Sequence, residues 1–529
     1  MLHKWVRAIG SGVALATLTM SAGARAEWWQ AETSHFIVYS ESKKDDAEQF
    51  ARLLERYDNA LRYMQNYPVP GPSMDEANKV KVFRSGDISD IAYIAGAPGS
   101  GIAGFYIPRA GATVAFVPAR EQRRDMSSVV RDDGPKLDSQ RVLFHEYTHH
   151  FMLTNFSTAY PHWYSEGFAE LYSTIEFKDD GSFHLGNVPQ SRGRDLKRFS
   201  DTRLSRLFDH KVKLTPLERY QSYTVGWLLS HYLNFNKERQ GQLPAYLQAL
   251  NKGEDSLTAA KRIFGDLDQL QTELRKYKSG PFPGFDIKPS NYVEPKVTMR
   301  PLSAAEEDLM REYIRSKRGV DLKEAKDVAS DLSGKGAAYP DSLPAQLIVA
   351  EANLDARDFD RAEAAAKRAI ALDAKSSYAN YLMGAVEMGR AKASKDKTLY
   401  AKARPWFAKA RELDREDPRP AIDYYLSYYE TGDPIPEDAL ITLEDAWDTA
   451  SYDPSYRMVL ARQLLNENKG KLARQVLSPI AFNAHGDDDE NKLRATVELI
   501  DEDKLDEARA KLAEQFKEAE DAAEGKKKS

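Results

Sequence analysis

The 529 residues contain no cysteine. That absence excludes disulfide staples, thiolate metal ligands and a lipid carried on cysteine. Any transition-metal site must therefore be assembled from His, Asp and Glu. Histidine is scarce as well, with ten in the whole chain, so a cluster of them carries information. Beyond the N-terminus no stretch approaches the roughly 18–20 apolar residues that a spanning helix needs, and no integral membrane segment is expected. Positive charge is not in excess: 75 Lys and Arg face 81 Asp and Glu, for a formal net charge of −6. This balance argues against nucleic acid or an anionic membrane surface as the main partner.

The first 26 residues have the pattern of a secretory signal peptide. Lys4 and Arg7 give a basic start, Val13 to Leu18 lies in a short apolar run, and Ala24-Arg25-Ala26 supplies an A-x-A cleavage site. Its removal takes away Lys4, Arg7 and Arg25 and no acid, which moves the charge from −6 to −9. A periplasmic or secreted protein is expected. Periplasm is preferred, because nothing between Glu27 and the first strand resembles an inhibitory pro-segment.

Residues 27–280 mix strand and helix patterns and read as an α+β domain. Three stretches, His35 to Ser40, Lys79 to Ser85 and Ala112 to Pro118, alternate and are rich in β-branched and aromatic residues, as strands are. Between the first two, Phe50, Leu53, Leu54, Tyr57 and Leu61 fall at helical spacing. Glycines 96, 99, 101, 104 and 111 mark a flexible loop leading into the strand Ala112 to Pro118, expected at the sheet edge, where an extended peptide can pair. Residues 281–303 are Pro- and Gly-rich and read as an inter-domain linker.

Residues 304–517 turn to Ala, Leu, Glu, Lys and Arg, and a repeat appears. Ala362, Ala366, Ala369, Leu372 and Asp373 match Ala403, Phe407, Ala410, Leu413 and Asp414 in position. With Ala325, Ala439, Ala473 and Ala508 as further first positions, the steps are 37, 41, 36, 34 and 35 residues. A period near 34 is that of helix–turn–helix solenoids. The copies resemble tetratricopeptide repeats, although the usual early tryptophan is absent and Gly384 alone clearly matches the usual glycine. Residues 518–529 form a charged tail.

The chemistry concentrates in His145 to Leu171. On a helix capped at Asp138, His145 and His149 are four apart and face one way, so two imidazoles can share one ion. Glu146 lies beside that face, within reach of a metal-bound water. Twelve residues on from His149, Pro161 opens "PHWYSEGFAEL", where Glu166 and Glu170 are again four apart. Glu166 can complete a two-histidine, one-glutamate site with its fourth position open, and Glu170 can accept the spare N–H of a ligand histidine. The bland alternative, core histidines and a solvated pair of glutamates, sits poorly with Val142, Leu143, Phe144, Phe151, Trp163, Phe168 and Leu171 around them. Tyr223 or His231, both on an apolar helix, can face the site and stabilise an oxyanion, with Tyr223 preferred. His150 and His162 adjoin the motifs without an assigned role.

"HEYTH" followed by "WYSEGFAEL" resembles the gluzincin metallopeptidases, in particular the peptidase-MA-like branch with its W-x-x-E-G-x-A-E element. The resemblance spans residues 139–172 and is diffuse over the rest of 27–280. It implies a zincin-like fold with His145, His149 and Glu166 as ligands of Zn2+ and Glu146 as the catalytic base. Glu170 stands where better-known gluzincins have Asp. The expectation is an exported zinc metallopeptidase acting on a peptide or protein substrate, with helical repeats that bind a protein partner. Two alternatives stay open: a non-catalytic repeat scaffold with a structural metal domain, and a zinc amidase acting on cell-wall bonds.

Overall fold

The computed structural model describes residues 27–100, 102–120, 139–156, 160–197, 202–209, 212, 214–482 and 492–523. The expected signal peptide and the Asp138 cap lie outside them. An α+β N-terminal part is followed by a helical region. Among the described residues no helix is long and apolar enough to cross a membrane.

The N-terminal part is built on a six-stranded sheet. Its strands are β1 (Trp28–Glu32), β2 (Phe36–Glu41), β3 (Val80–Arg84), β4 (Phe105–Ile107), β5 (Val114–Val117) and β9 (Thr298–Pro301), in the order β4-β5-β3-β2-β1-β9. The pairs β2–β3 and β3–β5 are parallel, as crossovers through α1 (Lys44–Met64) and α2 (Ile88–Ile94) require. The other three pairs are antiparallel. Side-chain alternation gives the sheet two apolar faces. Val38, Val82 and Ala115 lie in register on one face, packed with Leu54, Tyr57 and Leu61 of α1. On the other face Tyr39, Phe83, Phe116 and Phe105 stack across four strands, with centroids 5.3, 5.4 and 4.7 Å apart. Ile91 of α2 and Met310 and Ile314 of α11 (Ala304–Arg318) cover that face.

One expectation is corrected here. The strand at 112–118 is not an edge: β5 lies between β3 and β4, because the glycine-rich loop supplies β4 as a further strand. The stretch 281–303, expected as an inter-domain linker, itself carries strands. It contributes β8 (Phe285–Ile287), which pairs with β7 (Phe183–Leu185) beside β6 (Glu176–Phe177), and then β9, which pairs with β1. Its prolines end these short strands rather than forbid them, since an edge strand leaves N–H groups unpaired anyway.

Behind the sheet, α3 (Ser139–Asn155) and α4 (His162–Tyr172) are followed by α5 (Gln190–Lys197), α6 (Leu204–Phe208) and α7 (Pro216–Phe235). Thr215 and Glu218 cap α7 reciprocally, with Pro216 at its first turn. Helices α8 (Gln242–Asn251), α9 (Ser256–Phe264) and α10 (Leu267–Tyr277) close this part. After α11 come α12 (Leu322–Ala337), α13 (Leu343–Asp355), α14 (Phe359–Leu372), α15 (Ser377–Ser394), α16 (Thr398–Leu413) and α17 (Pro418–Tyr429). Then follow α18 (Glu437–Asp445), α19 (Trp447–Ala450), α20 (Pro454–Asn466), α21 (Gly470–Ala481), α22 (Lys492–Asp501) and α23 (Leu505–Ala523).

The recurring alanines set how closely these helices pack. Ala325, Ala362, Ala403, Ala439, Ala473 and Ala508 are all at most 1 % exposed. Leu372, part of the same repeat pattern, is 41 % exposed at the end of α14. A larger side chain at these alanines forces neighbours off their rotamers, at a typical cost of about 1–3 kcal/mol. Ala403→Leu is therefore expected to lower the urea midpoint clearly, and Leu372→Ala to change it by less than ~0.5 kcal/mol equivalent. Equal effects of the two variants would contradict this packing.

Candidate metal centre

Helix α3 turns Leu143, Phe144, Tyr147, Thr148 and Phe151 into the core and leaves His145, Glu146 and His149 half-buried along its other side. Two hydrogen bonds fix its rotation against α1. The Tyr147 hydroxyl donates to Asp58 Oδ1 at 2.8 Å, and Thr148 Oγ1 lies 2.6 Å from the Tyr57 hydroxyl. Both anchors sit between the two histidines in sequence.

Helix α4 brings Glu166 to the histidines. It crosses α7 backbone to backbone: a Cβ on Gly167 would sit 2.2 Å from the Gly226 carbonyl oxygen, and one on Gly226 would sit 2.2 Å from that of Trp163. No other residue fits at either crossing point. The glycine directly after Glu166 thus has a structural reason that the sequence alone did not reveal.

The ligand atoms of the three side chains cluster, one from each residue lying within 4.8 Å of the others. His145 Nε2 and His149 Nε2 are 3.1 Å apart, Glu166 Oε2 is 3.2 Å from His145 Nε2, and Glu166 Oε1 is 3.7 Å from His149 Nε2. Ligands held at ~2.0–2.1 Å around a tetrahedral ion are separated by about 3.3 Å, so the observed spacings match such a centre without rearrangement. Glu166 is fully buried. Burial opposes its charge, yet the charges and hydrogen bonds of His149 and His145 hold its carboxyl well below the ordinary range. Burial likewise works against the His145 cation, but Glu166, with Glu170 and Glu146, raises it to about 9. Without metal, the pair holds a proton where an ion would sit. Two imidazoles and a carboxylate suit zinc.

Glu170 has a partner that the sequence did not indicate. Its Oε1 accepts from Arg192 Nε and Nη2 of α5 at 2.9 and 2.7 Å, and its charge also acts on His145. The i, i+4 spacing put it beside Glu166, but a buried carboxylate pairs with whichever donor reaches it, and Arg192 is 22 residues away in sequence. Tyr223 lies near enough to Glu166, Glu146 and Glu170 for their charges to act on its hydroxyl. The Arg192 guanidinium lies 4.8 Å from its ring centroid and the His162 ring 5.6 Å away. Burial and the charges of Glu166, Glu146 and Glu170 push its hydroxyl up, against the pull of Arg192, so it stays an O–H donor. His231 belongs to the core: Nδ1 lies 2.8 Å from the Tyr277 hydroxyl, Nε2 3.1 Å from the Gly186 carbonyl, and the ring stacks on Phe235. His150 is 4 % exposed and is pushed down to about 4 by burial.

A second group, His35, Glu55 and Asp58, also has metal-ligand spacing. It already contains its cations. Arg62 Nε lies 2.6 Å from Asp58 Oδ2, and His35 Nδ1 lies 2.7 Å from Glu55 Oε1. This network braces α1 and, through Asp58 and Tyr147, helix α3.

Comparison with family models and with curated proteins finds no match.

Metal uptake must displace the His145 proton. The metal-free site keeps that proton below about pH 9. Zinc affinity is therefore expected to rise with pH by up to about tenfold per unit between pH 7 and 9, and to flatten above. Competition titrations with a chelator across that range test this; an affinity independent of pH would contradict it.

Proposed function

We propose that this chain is an exported zinc-dependent metallopeptidase of gluzincin type, with tetratricopeptide-like repeats in its helical region. The observation that carries the reading is the Glu166, His145 and His149 triangle at tetrahedral spacing with Glu146 on the adjoining helix position. A zinc ion bound there would lower the pKa of water and polarise a carbonyl group.

The chain's own residues supply the remaining chemistry. Glu146 is close enough for its charge to act on both His145 and Tyr223, which suits a base that takes a proton from water and passes it to the leaving amine. Tyr223, kept protonated, offers an O–H to the oxygen that becomes negative at the scissile carbon. Arg192 orients two partners at once, holding Glu170 by two hydrogen bonds and covering the Tyr223 ring. Among the described residues β4 ends the sheet on the side of α3, so an extended peptide can add there as a further strand.

Glu146→Gln removes the base while leaving every metal ligand in place. Peptide hydrolysis is expected to fall about 10²–10⁴-fold with zinc content unchanged. Cleavage by the variant at the wild-type rate would contradict Glu146 as the base; zinc binding without cleavage by the wild type would instead support a scaffold holding a structural ion.

A further inference from the structure

The helical region does not hang free of the sheet domain; it closes over the β4–β5 loop, residues 108–113. Arg109 donates to the carbonyls of Lys317 and Arg318, at 3.0 and 3.1 Å, and so satisfies the last turn of α11. Gly111 has a φ of 66°, and a Cβ there would lie 2.6 Å from Arg419 Nε at the start of α17. The Ala110 N–H donates to Asp453 Oδ2 at 2.7 Å, while Oδ1 of the same carboxylate caps α20. The loop is clasped at three points along the helical region.

From that clasp the contact runs on to the metal helix. Tyr452 is 4 % exposed and packs its ring edge-on against the His150 imidazole, with centroids 4.7 Å apart. His150 Nδ1 in turn shares a hydrogen bond with the Tyr106 hydroxyl of β4. Arg457, 2 % exposed, reaches from α20 to the Leu153 carbonyl near the end of α3 at 3.4 Å. It also donates to the carbonyls of Ser451 and Val476.

We propose that Tyr452 is a positioning residue of the metal centre, acting through His150 to fix the rotation of α3. The proposal rests on the metal-site reading above. His150 directly follows the ligand His149, so the two side chains turn together when the helix rolls. A metal centre tolerates only about 10–20° of such misorientation. The α1 anchors hold one side of α3, and Tyr452 with Arg457 hold another. Replacing the Tyr452 ring with a smaller group leaves space into which α3 can roll.

The test uses the full chain and two readouts: zinc affinity by chelator competition, and amide hydrogen exchange. In Tyr452→Leu, zinc affinity is expected to fall at least about tenfold, and exchange in 140–155 to quicken while that of α14 to α16 is unchanged. Tyr452→Phe keeps the ring and is expected within about twofold of wild type in both. If Tyr452→Leu does not accumulate, Arg457→Met replaces it, with faster exchange at 150–155 expected. Unchanged affinity and exchange, or acceleration spread evenly over the chain, overturns the proposal. Absence of zinc binding in the wild type overturns the metal-site reading instead.

Discussion

A carboxylate with no exposed surface must share its burial with positive charge, and Glu166 is that carboxylate. Leaving such a group uncompensated costs several kcal/mol, more than most single interactions in a protein supply. Here the compensation comes from the His145 and His149 imidazoles, with His145 held protonated beside the carboxylate. The rest of the N-terminal architecture reads as the means of keeping one ligand atom from each of three side chains within 4.8 Å of the others. The glycine-to-glycine crossing of α4 and α7 brings Glu166 in; a side chain at either position would push it away.

Helix α3 is braced from several directions because its ligands have little tolerance. On one side a buried network of His35, Glu55, Asp58 and Arg62 ends on the Tyr147 hydroxyl. From another, the helical region contributes Tyr452 and Arg457. The sheet adds Tyr106 from β4. These braces come from segments as far apart in sequence as His35 and Arg457. The His145, His149 and Glu166 pattern is local, but its bracing is not.

This contrast explains what the sequence made legible. His145 with His149 and Glu166 with Glu170 are readable because helical periodicity places residues four apart side by side, whatever the tertiary setting. The alternation in β2, β3 and β5 is local in the same sense. The Arg192 partner of Glu170 was not legible, because it arrives from another helix and no spacing rule connects them. The status of β5 depended on whether the glycine-rich loop formed one more strand, which three residues, Phe105 to Ile107, decide. Residues 281–303 look like a tether by composition, yet short proline-bounded strands at a sheet edge have the same composition. The role of Tyr452 has no sequence signal, since a tyrosine between helices is ordinarily packing.

The central claim is that one zinc ion binds to these three side chains. X-ray absorption at the zinc edge on the purified full chain tests it most directly. The account predicts one zinc per chain, two imidazole nitrogens among its ligands, no sulfur, and loss of that signal in Glu166→Ala. A zinc environment unchanged in Glu166→Ala, or one lacking a pair of imidazoles, would contradict it.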